Sequence, residues 1–157
     1  MGLETGFKEM VKNIAESVSG FNGYYRRETR REEERMLRDY IASRISESMR
    51  KINETVREIT KSGDISVLDI YGRVQKNLEK LKDKIRYCNY GYSGFFDLKQ
   101  VDEKTLENVL KKDLEILKMV ADLDEMAEQG EIKEIEKAIK EIEMLFNERK
   151  DIIENIK

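Results

Sequence analysis

The sequence predicts an all-α protein, an antiparallel and coiled-coil-like helical bundle of about five helices, one of them about 35 residues long. Apolar residues recur at steps of three and four along most of the chain, which is the spacing of one helix face. Proline is absent from all 157 residues, so no proline kinks or breaks a helix. Glycines stand where the apolar periods stop, which is typical of helix C-termini.

The first two helices are predicted at about residues 4–19 and 25–61. The first has one apolar face, and Gly20 and Gly23 end it. The second carries a narrower apolar stripe, and Gly63 should cap its C-terminus. The stripe consists of Leu37, Ile41, Ile45, Met49, Ile52, Val56 and Ile59.

Three further helices are predicted after Gly63. Ser66 is the expected N-cap of the third helix, whose apolar seam ends at Cys88. Asp102 is the expected N-cap of the fourth helix, and Gly130 should separate the fourth from the fifth. We expect a single domain that comprises residues 1–23 (amphipathic helix and glycine turn), 24–62 (long helix) and 64–157 (three helices).

Arg149 alone interrupts the seven-residue apolar repeat of the fifth helix. An arginine at a seam position can select the register or the partner of a helix. A frayed last turn near the open end of the bundle explains it equally well, and the sequence leaves both interpretations open.

The helix lengths predict that the start of the second helix extends past its neighbours. Counting back from the turn at Gly63, the third helix should end opposite Asp39 or Tyr40, so residues 26–35 overshoot it. The aromatic loop after the third helix belongs to this same end of the bundle. The first helix must cover that loop, a second copy or another surface, because uncovered apolar faces are rarely tolerated.

These features favour a non-enzymatic helical module for protein–protein interaction or assembly, acting as a homo-oligomer or with another helical protein. The chain has no histidine and no glycine-rich phosphate loop, so we predict no catalytic residue and no cofactor. The candidate partner-binding residues are Phe7, Met10, Val11, Ile14, Phe21, Tyr24, Tyr25, Tyr90, Tyr92, Phe95 and Phe96.

The alternative is a nucleic-acid-binding protein, because arginines follow two tyrosines at the start of the second helix. The candidate residues are Arg26, Arg27, Arg30 and Arg31. Three glutamates follow them directly, so a solvated surface whose charges pair with each other is the preferred interpretation of this segment.

A carboxylate- and Mg²⁺-dependent all-α phosphohydrolase is the third hypothesis. The acidic residues with suitable spacing are Glu131, Glu134, Glu148 and Asp151. Such pairs arise by chance in a chain with 33 acidic residues, so surface ion pairs are preferred and no metal ligand is predicted.

Charge and hydropathy limit the compartment and the partners. The net charge of −3 is uneven: residues 1–101 hold 20 basic and 16 acidic side chains, and residues 102–157 hold 10 and 17. No apolar run approaches the roughly 20 residues of a spanning helix, and there is no apolar signal core, so a cytoplasmic location is expected. Membrane binding is not expected, because acids outnumber lysines on the first helix.

Overall fold

The computed structural model describes residues 3–91 and 93–156, with side chains from Gly6 onward. Tyr92, a candidate partner-binding residue, lies outside the described residues. All regular structure in the described part is helical, which confirms the predicted all-α bundle with one long helix. The helices are α1 (Leu3–Ala15), α2 (Arg27–Ser62), α3 (Leu68–Arg86), α4 (Gly94–Asp97), α5 (Glu103–Gln129) and α6 (Ile132–Glu154).

The four longest helices form a bundle of two antiparallel hairpins, α2–α3 and α5–α6. Helix α2 runs parallel to α5, because their contacts follow the same order in both helices. Near their starts, Glu34 and Asp113 bind the same arginine, and further along Lys51 pairs with Asp124 at 2.8 Å. The two hairpins therefore pack with their first helices side by side.

The second helices of the hairpins, α3 and α6, are also parallel. Arg73 pairs with Glu136 at 3.1 Å and Lys84 with Glu143 at 3.7 Å. Helices α3 and α5 consequently lie on a diagonal of the bundle. The segment that joins them, residues 87–102, crosses over one end of the bundle, and we call it the crossover.

The predicted overshoot of α2 is confirmed. The guanidinium of Arg38 donates to the carbonyl oxygens of Ile85 and Arg86 at 3.1 and 2.7 Å, so α3 ends within a residue of the predicted position. The part of α2 that precedes Arg38 does not project into solvent, however. The crossover and the segment after α1 cover it.

A glycine ends the first helix of each hairpin, as predicted. Gly63 (φ +83°) and Gly130 (φ +71°) are left-handed C-caps of α2 and α5. The prediction for Ser66 is wrong: Val67 is the N-cap of α3, and the Ser66 hydroxyl donates to Asp64 at 2.7 Å in a local turn. Asp102 stands at the N-cap position of α5 but makes no side-chain cap hydrogen bond.

We expect Gly130→Ala to lower the free energy of unfolding by about 1 kcal/mol, because an L side chain disfavours left-handed backbone. The change is clean, since a Cβ there would meet nothing within 4 Å. Gly72→Ala is the control: it lies within helix α3, also in open space, and should stabilise by roughly 0.5–1 kcal/mol. Urea denaturation measures the free energy of unfolding of both variants. A change in the same direction in both would contradict this account.

Three local features differ from the sequence-based expectation. The four-residue helix α4 was not predicted, and the Ser93 hydroxyl caps it by accepting the Phe95 N–H at 3.1 Å. Helix α3 ends at Arg86, so Cys88 is half-buried in the crossover and does not close the α3 seam. Among the described helices the backbone of α1 lies close to α5 alone and not to α4, the helix that carries Phe95 and Phe96.

Candidate functional site

The crossover closes the aromatic end of the bundle. Phe95 and Phe96 are buried in edge-to-face contact, with ring centroids 5.1 Å apart, and Tyr24 packs on Phe95 at 5.3 Å. The Gly94 N–H donates to the carbonyl oxygen of Ile156 at 2.6 Å, which ties the crossover to the end of α6. The chain's own side chains therefore close this end of the bundle.

A largely buried group of polar residues lies next to Phe95 and Phe96. We call it the ion cluster, and it consists of Tyr24, Glu34, Tyr90, Asp113 and Arg149. Arg149 is its centre and is 0% exposed. Its guanidinium donates to Asp113 at 2.5 Å, to Glu34 and the Tyr90 hydroxyl at 2.9 Å each, and to the Tyr24 hydroxyl at 3.1 Å. The interpretation of Arg149 as part of a frayed turn is therefore wrong.

The carboxylates of the ion cluster are each bonded to a tyrosine and to an arginine. Tyr24 donates to Asp113 and Tyr90 to Glu34, both at 2.5 Å. Both carboxylate oxygens of Glu34 also accept from the single N–H at Nε of Arg38, at 2.9 Å each. With Arg38 included, two carboxylates face two guanidinium groups, so the buried charges balance.

Burial and pairing set the ionisation of the cluster. Burial raises the pKa of the Asp113 carboxyl above its usual value, although Arg149 opposes this. For Glu34, burial acts in the same direction, but Arg149 and Arg38 outweigh it and the pKa is lowered. Burial, followed by the charge of Asp113, raises the pKa of the Tyr24 hydroxyl well above its usual value. The Tyr24 hydroxyl therefore stays protonated at neutral pH and serves as a hydrogen-bond donor.

The charged start of α2 is partly internal, so its interpretation as a solvated surface is wrong for Arg30, Glu33 and Glu34. The Arg30 guanidinium donates to the carbonyl oxygens of Tyr24, Phe95 and Leu98 at 2.8, 2.6 and 2.9 Å. Glu33 accepts the backbone N–H of Tyr24 at 3.2 Å. These side chains satisfy main-chain groups that the irregular segments leave without partners.

The arginines of the nucleic-acid hypothesis do not form one surface. Arg26, Arg27 and Arg31 are exposed, whereas Arg30 is fully buried with three carbonyl partners. Arg31 pairs with Asp97 at 3.3 Å, and its guanidinium lies 4.7 Å from the centroid of the Phe96 ring. Arg30 therefore has no access to a phosphate backbone in this conformation.

Most candidate partner-binding residues lie inside the chain's own core. The apolar face of α1 is covered in cis, so an uncovered α1 face no longer argues for a partner. Tyr25 differs, since it is 67% exposed. The buried candidates are Phe7, Ile14, Phe21, Tyr24, Phe95 and Phe96, and the partly buried ones are Met10, Val11 and Tyr90.

Tyr25 projects from the surface between two hollows. We call residues 3–25 the N-terminal arm, and this surface around Tyr25 the arm face. One hollow has a volume of about 470 Å³ and apolar walls from Phe7 and Val11. The ring centroids of Phe7 and Tyr25 are 6.2 Å apart. The other hollow, of about 460 Å³, includes Val101 and Leu106. Both hollows have charged borders, basic at Lys8 and Lys12 in the first and acidic at Asp102 and Glu103 in the second, with Glu103 reaching both.

A third hollow, of about 470 Å³, is a polar cleft between the start of α2 and the crossover. Its three arginines are paired with its acids: Arg31 with Asp97, Arg35 with Glu32 and Arg38 with Glu34. Cys88 borders the cleft, and burial raises the pKa of its thiol. The cleft thus presents balanced charges and an unactivated thiol.

The carboxylates considered for Mg²⁺ do not come together. Among the described residues, no three His, Cys, Asp or Glu side chains are grouped in a way that could hold a metal ion. Glu134 pairs instead with Lys137 at 3.6 Å, and Glu148 pairs with Lys112. No described helix has the length and hydropathy needed to cross a bilayer.

Compared with protein-family models, with curated proteins and with solved structures, the chain matches none. Its function has therefore to be inferred from its own geometry. Two features stand out for that purpose, the buried ion cluster and the arm face, and they are adjacent in sequence through Tyr24 and Tyr25.

Proposed function

We propose that this chain is a non-enzymatic helical assembly module that associates with a second copy of itself through the arm face. The observation that carries the proposal is Tyr25, a large aromatic side chain that is 67% exposed between two partly apolar hollows. Tyrosines in such positions are enriched at the centres of protein interfaces, where they supply much of the binding energy.

The arm face is complementary to itself. In a two-fold dimer the same patch meets its own copy, so a ridge must find a hollow and a positive border must find a negative one. Tyr25 can enter a hollow of the second copy while the second copy's ridge enters the first. Lys12 on the border of the first hollow and Asp102 on the border of the second supply opposite charges that can face each other across such a contact.

The interface between the two copies must bury more area than Tyr25 alone supplies. A stable pair of proteins buries about 800 Å² on each partner, which is several times the area of one tyrosine side chain. The outer side of α1 and the start of α5 flank Tyr25 and can supply the remainder. Because α1 is held in place within each copy, the surface is already formed before the copies meet, which lowers the entropic cost of association.

Sedimentation equilibrium of the full chain over a range of concentrations tests the proposal. We expect a dimer whose dissociation constant rises roughly 30-fold or more in Tyr25→Ser, as for the loss of a central interface residue. Two control variants also remove exposed apolar area: Tyr87→Ser in the crossover (70% exposed) and Ile65→Ser at the opposite end of the bundle (67% exposed). Both should leave the dimer unchanged.

Three results would overturn the proposal: a monomer at all concentrations, a dimer indifferent to Tyr25→Ser, or a dimer broken by Ile65→Ser. A charge exchange sharpens the two-fold assignment. Lys12→Glu should weaken the dimer by placing like charges opposite each other, and adding Asp102→Lys to the same chain should restore it.

A further inference from the structure

We propose that the ion cluster is a latch for the N-terminal arm, residues 3–25, which can open as a unit while the four-helix bundle stays folded. Closing the latch forms the arm face, so the cluster controls the surface through which two copies associate. The first part stands on the contacts of the arm alone, and the second rests on the proposed function.

The latch begins with the backbone of Tyr24. Among the described residues Tyr24 is the one non-glycine residue with a positive φ, +64°, a region that disfavours L side chains. Two buried charged side chains of α2 hold it there: Glu33 accepts its N–H at 3.2 Å, and Arg30 donates to its carbonyl oxygen at 2.8 Å. An unfavourable conformation persists only where the surroundings fix it in this way.

The side chain of Tyr24 completes the latch. Its ring is fully buried between Phe21 and Phe95, with centroids 4.9 and 5.3 Å away. Its hydroxyl donates to Asp113 at 2.5 Å and accepts from Arg149 at 3.1 Å. Withdrawing Tyr24 would leave one Asp113 oxygen without its hydroxyl donor, so the cluster strongly favours the closed arm.

The remainder of the arm is held mainly by apolar packing. Helix α1 has 13 residues, too few for a stable helix on its own, and among the described helices it contacts only α5. Opening the arm therefore sacrifices the α1–α5 contact, the burial of Val18 and Phe21, the hydrogen bond from the Asn22 N–H to Glu33 and the Tyr24 contacts, and leaves both hairpins of the bundle paired. Segments with this pattern of contacts open as cooperative units below the global stability.

Closure of the arm also builds the arm face. Tyr25 follows Tyr24 directly, so the backbone that the latch fixes decides where the exposed ring points. One hollow exists only when α1 is docked, because Phe7 and Val11 form its walls. An open arm therefore lacks both the ridge and its neighbouring hollow.

Hydrogen exchange resolved by segment tests the latch with two matched variants, Tyr24→Phe and Tyr90→Phe. Each removes one hydroxyl from the same cluster and keeps the ring. Tyr24→Phe should raise the exchange of residues 6–26 by roughly tenfold or more, because a hydrogen bond to a buried charge is lost. Tyr90→Phe should instead raise exchange in the crossover. Equal effects of the two variants on the arm would overturn the latch.

A second variant acts on the docking of α1 at a residue that precedes Tyr24 and keeps every side chain of the cluster. In Gly23→Ala the new Cβ would lie 2.6 Å from Cγ2 of Val11, so the packing of α1 on this turn must shift, whereas Gly63→Ala has a similar φ in open space and is the control. Gly23→Ala should raise the hydrogen exchange of α1 with the bundle intact, and loss of protection throughout the bundle would overturn the proposal.

The latch and the proposed function can fail separately. If the parent chain is a monomer, the proposed function is wrong, and the exchange results still decide whether the latch exists. In a dimeric parent, Tyr24→Phe should weaken association and Tyr90→Phe should not, and the reverse would contradict the coupling.

Discussion

Arg149→Met is expected to lower the free energy of unfolding by about 3–5 kcal/mol, the usual cost of removing one partner from a buried ion pair. Methionine fills much of the space but leaves Asp113 and Glu34 facing each other without the cation between them. Glu34 keeps Arg38 and the Tyr90 hydroxyl, but Asp113 keeps only the Tyr24 hydroxyl, which does not replace a charge. Denaturant unfolding followed by circular dichroism measures the change.

The matched control is Arg50→Met on the outer face of α2. Arg50 also forms two ion pairs, with Glu47 at 2.5 Å and Glu54 at 2.7 Å, but its side chain is 55% exposed. Exposed pairs contribute about 0–1 kcal/mol, because water solvates the separated charges. Similar losses in Arg149→Met and Arg50→Met would mean that the ion cluster has no special role in stability.

Neutralising the carboxylate partner should change the result for Arg149. In an Asp113→Asn background, Arg149→Met no longer leaves two buried negative charges together, so the arginine change should cost less than in the parent chain. The difference between the two costs measures the coupling between Arg149 and Asp113. Identical costs would contradict the pairing seen at 2.5 Å.

The bundle itself follows from local signals in the sequence. Apolar spacing identifies the helices, and the two left-handed glycines at Gly63 and Gly130 end them as predicted. Helix length alone places the end of α3 near Asp39, within one residue of the contact that Arg38 makes. These features depend on residues close together in the chain, where period and cap chemistry act.

The ion cluster could not be predicted in the same way, because its members are distant in sequence. Glu34 and Arg149, for example, are 115 residues apart. A signal was nevertheless present: Arg30 and Glu34 continue the stripe of Leu37 and Ile41 backwards at steps of four and three. Charged residues on a seam were assigned to solvent, whereas the crossover and the arm bury them with partners.

The placement of the first helix also lay beyond sequence reasoning. Its apolar face shows that it packs, but not on which helix, because periodicity carries no information about the partner. The diagonal crossover was equally undetermined, since residues 87–102 are long enough to reach either neighbouring corner of the bundle. Contacts that join Tyr24 to Asp113 and Gly94 to Ile156 decide both arrangements.

Phe95→Ala is expected to lower the free energy of unfolding by about 3–5 kcal/mol, as is typical when a fully buried phenylalanine is truncated. The cavity would lie between Tyr24 and Phe96, and the Arg30 guanidinium 5.7 Å from the ring centroid would lose its cation–π contact. Denaturant unfolding gives the total loss. Leu98→Ala in the same crossover, at a residue that is 40% exposed, is the control and should cost well under half as much.

The distribution of the loss matters as much as its size. Because Phe95 contacts Tyr24, whose withdrawal opens the arm, hydrogen exchange should rise in residues 87–102 and by a common factor throughout residues 6–26. The far end of the bundle, near Gly63 and Gly130, should keep its protection. If α1 keeps its protection while the residues around Tyr24 lose theirs, the arm does not open as a unit and the latch as proposed is wrong.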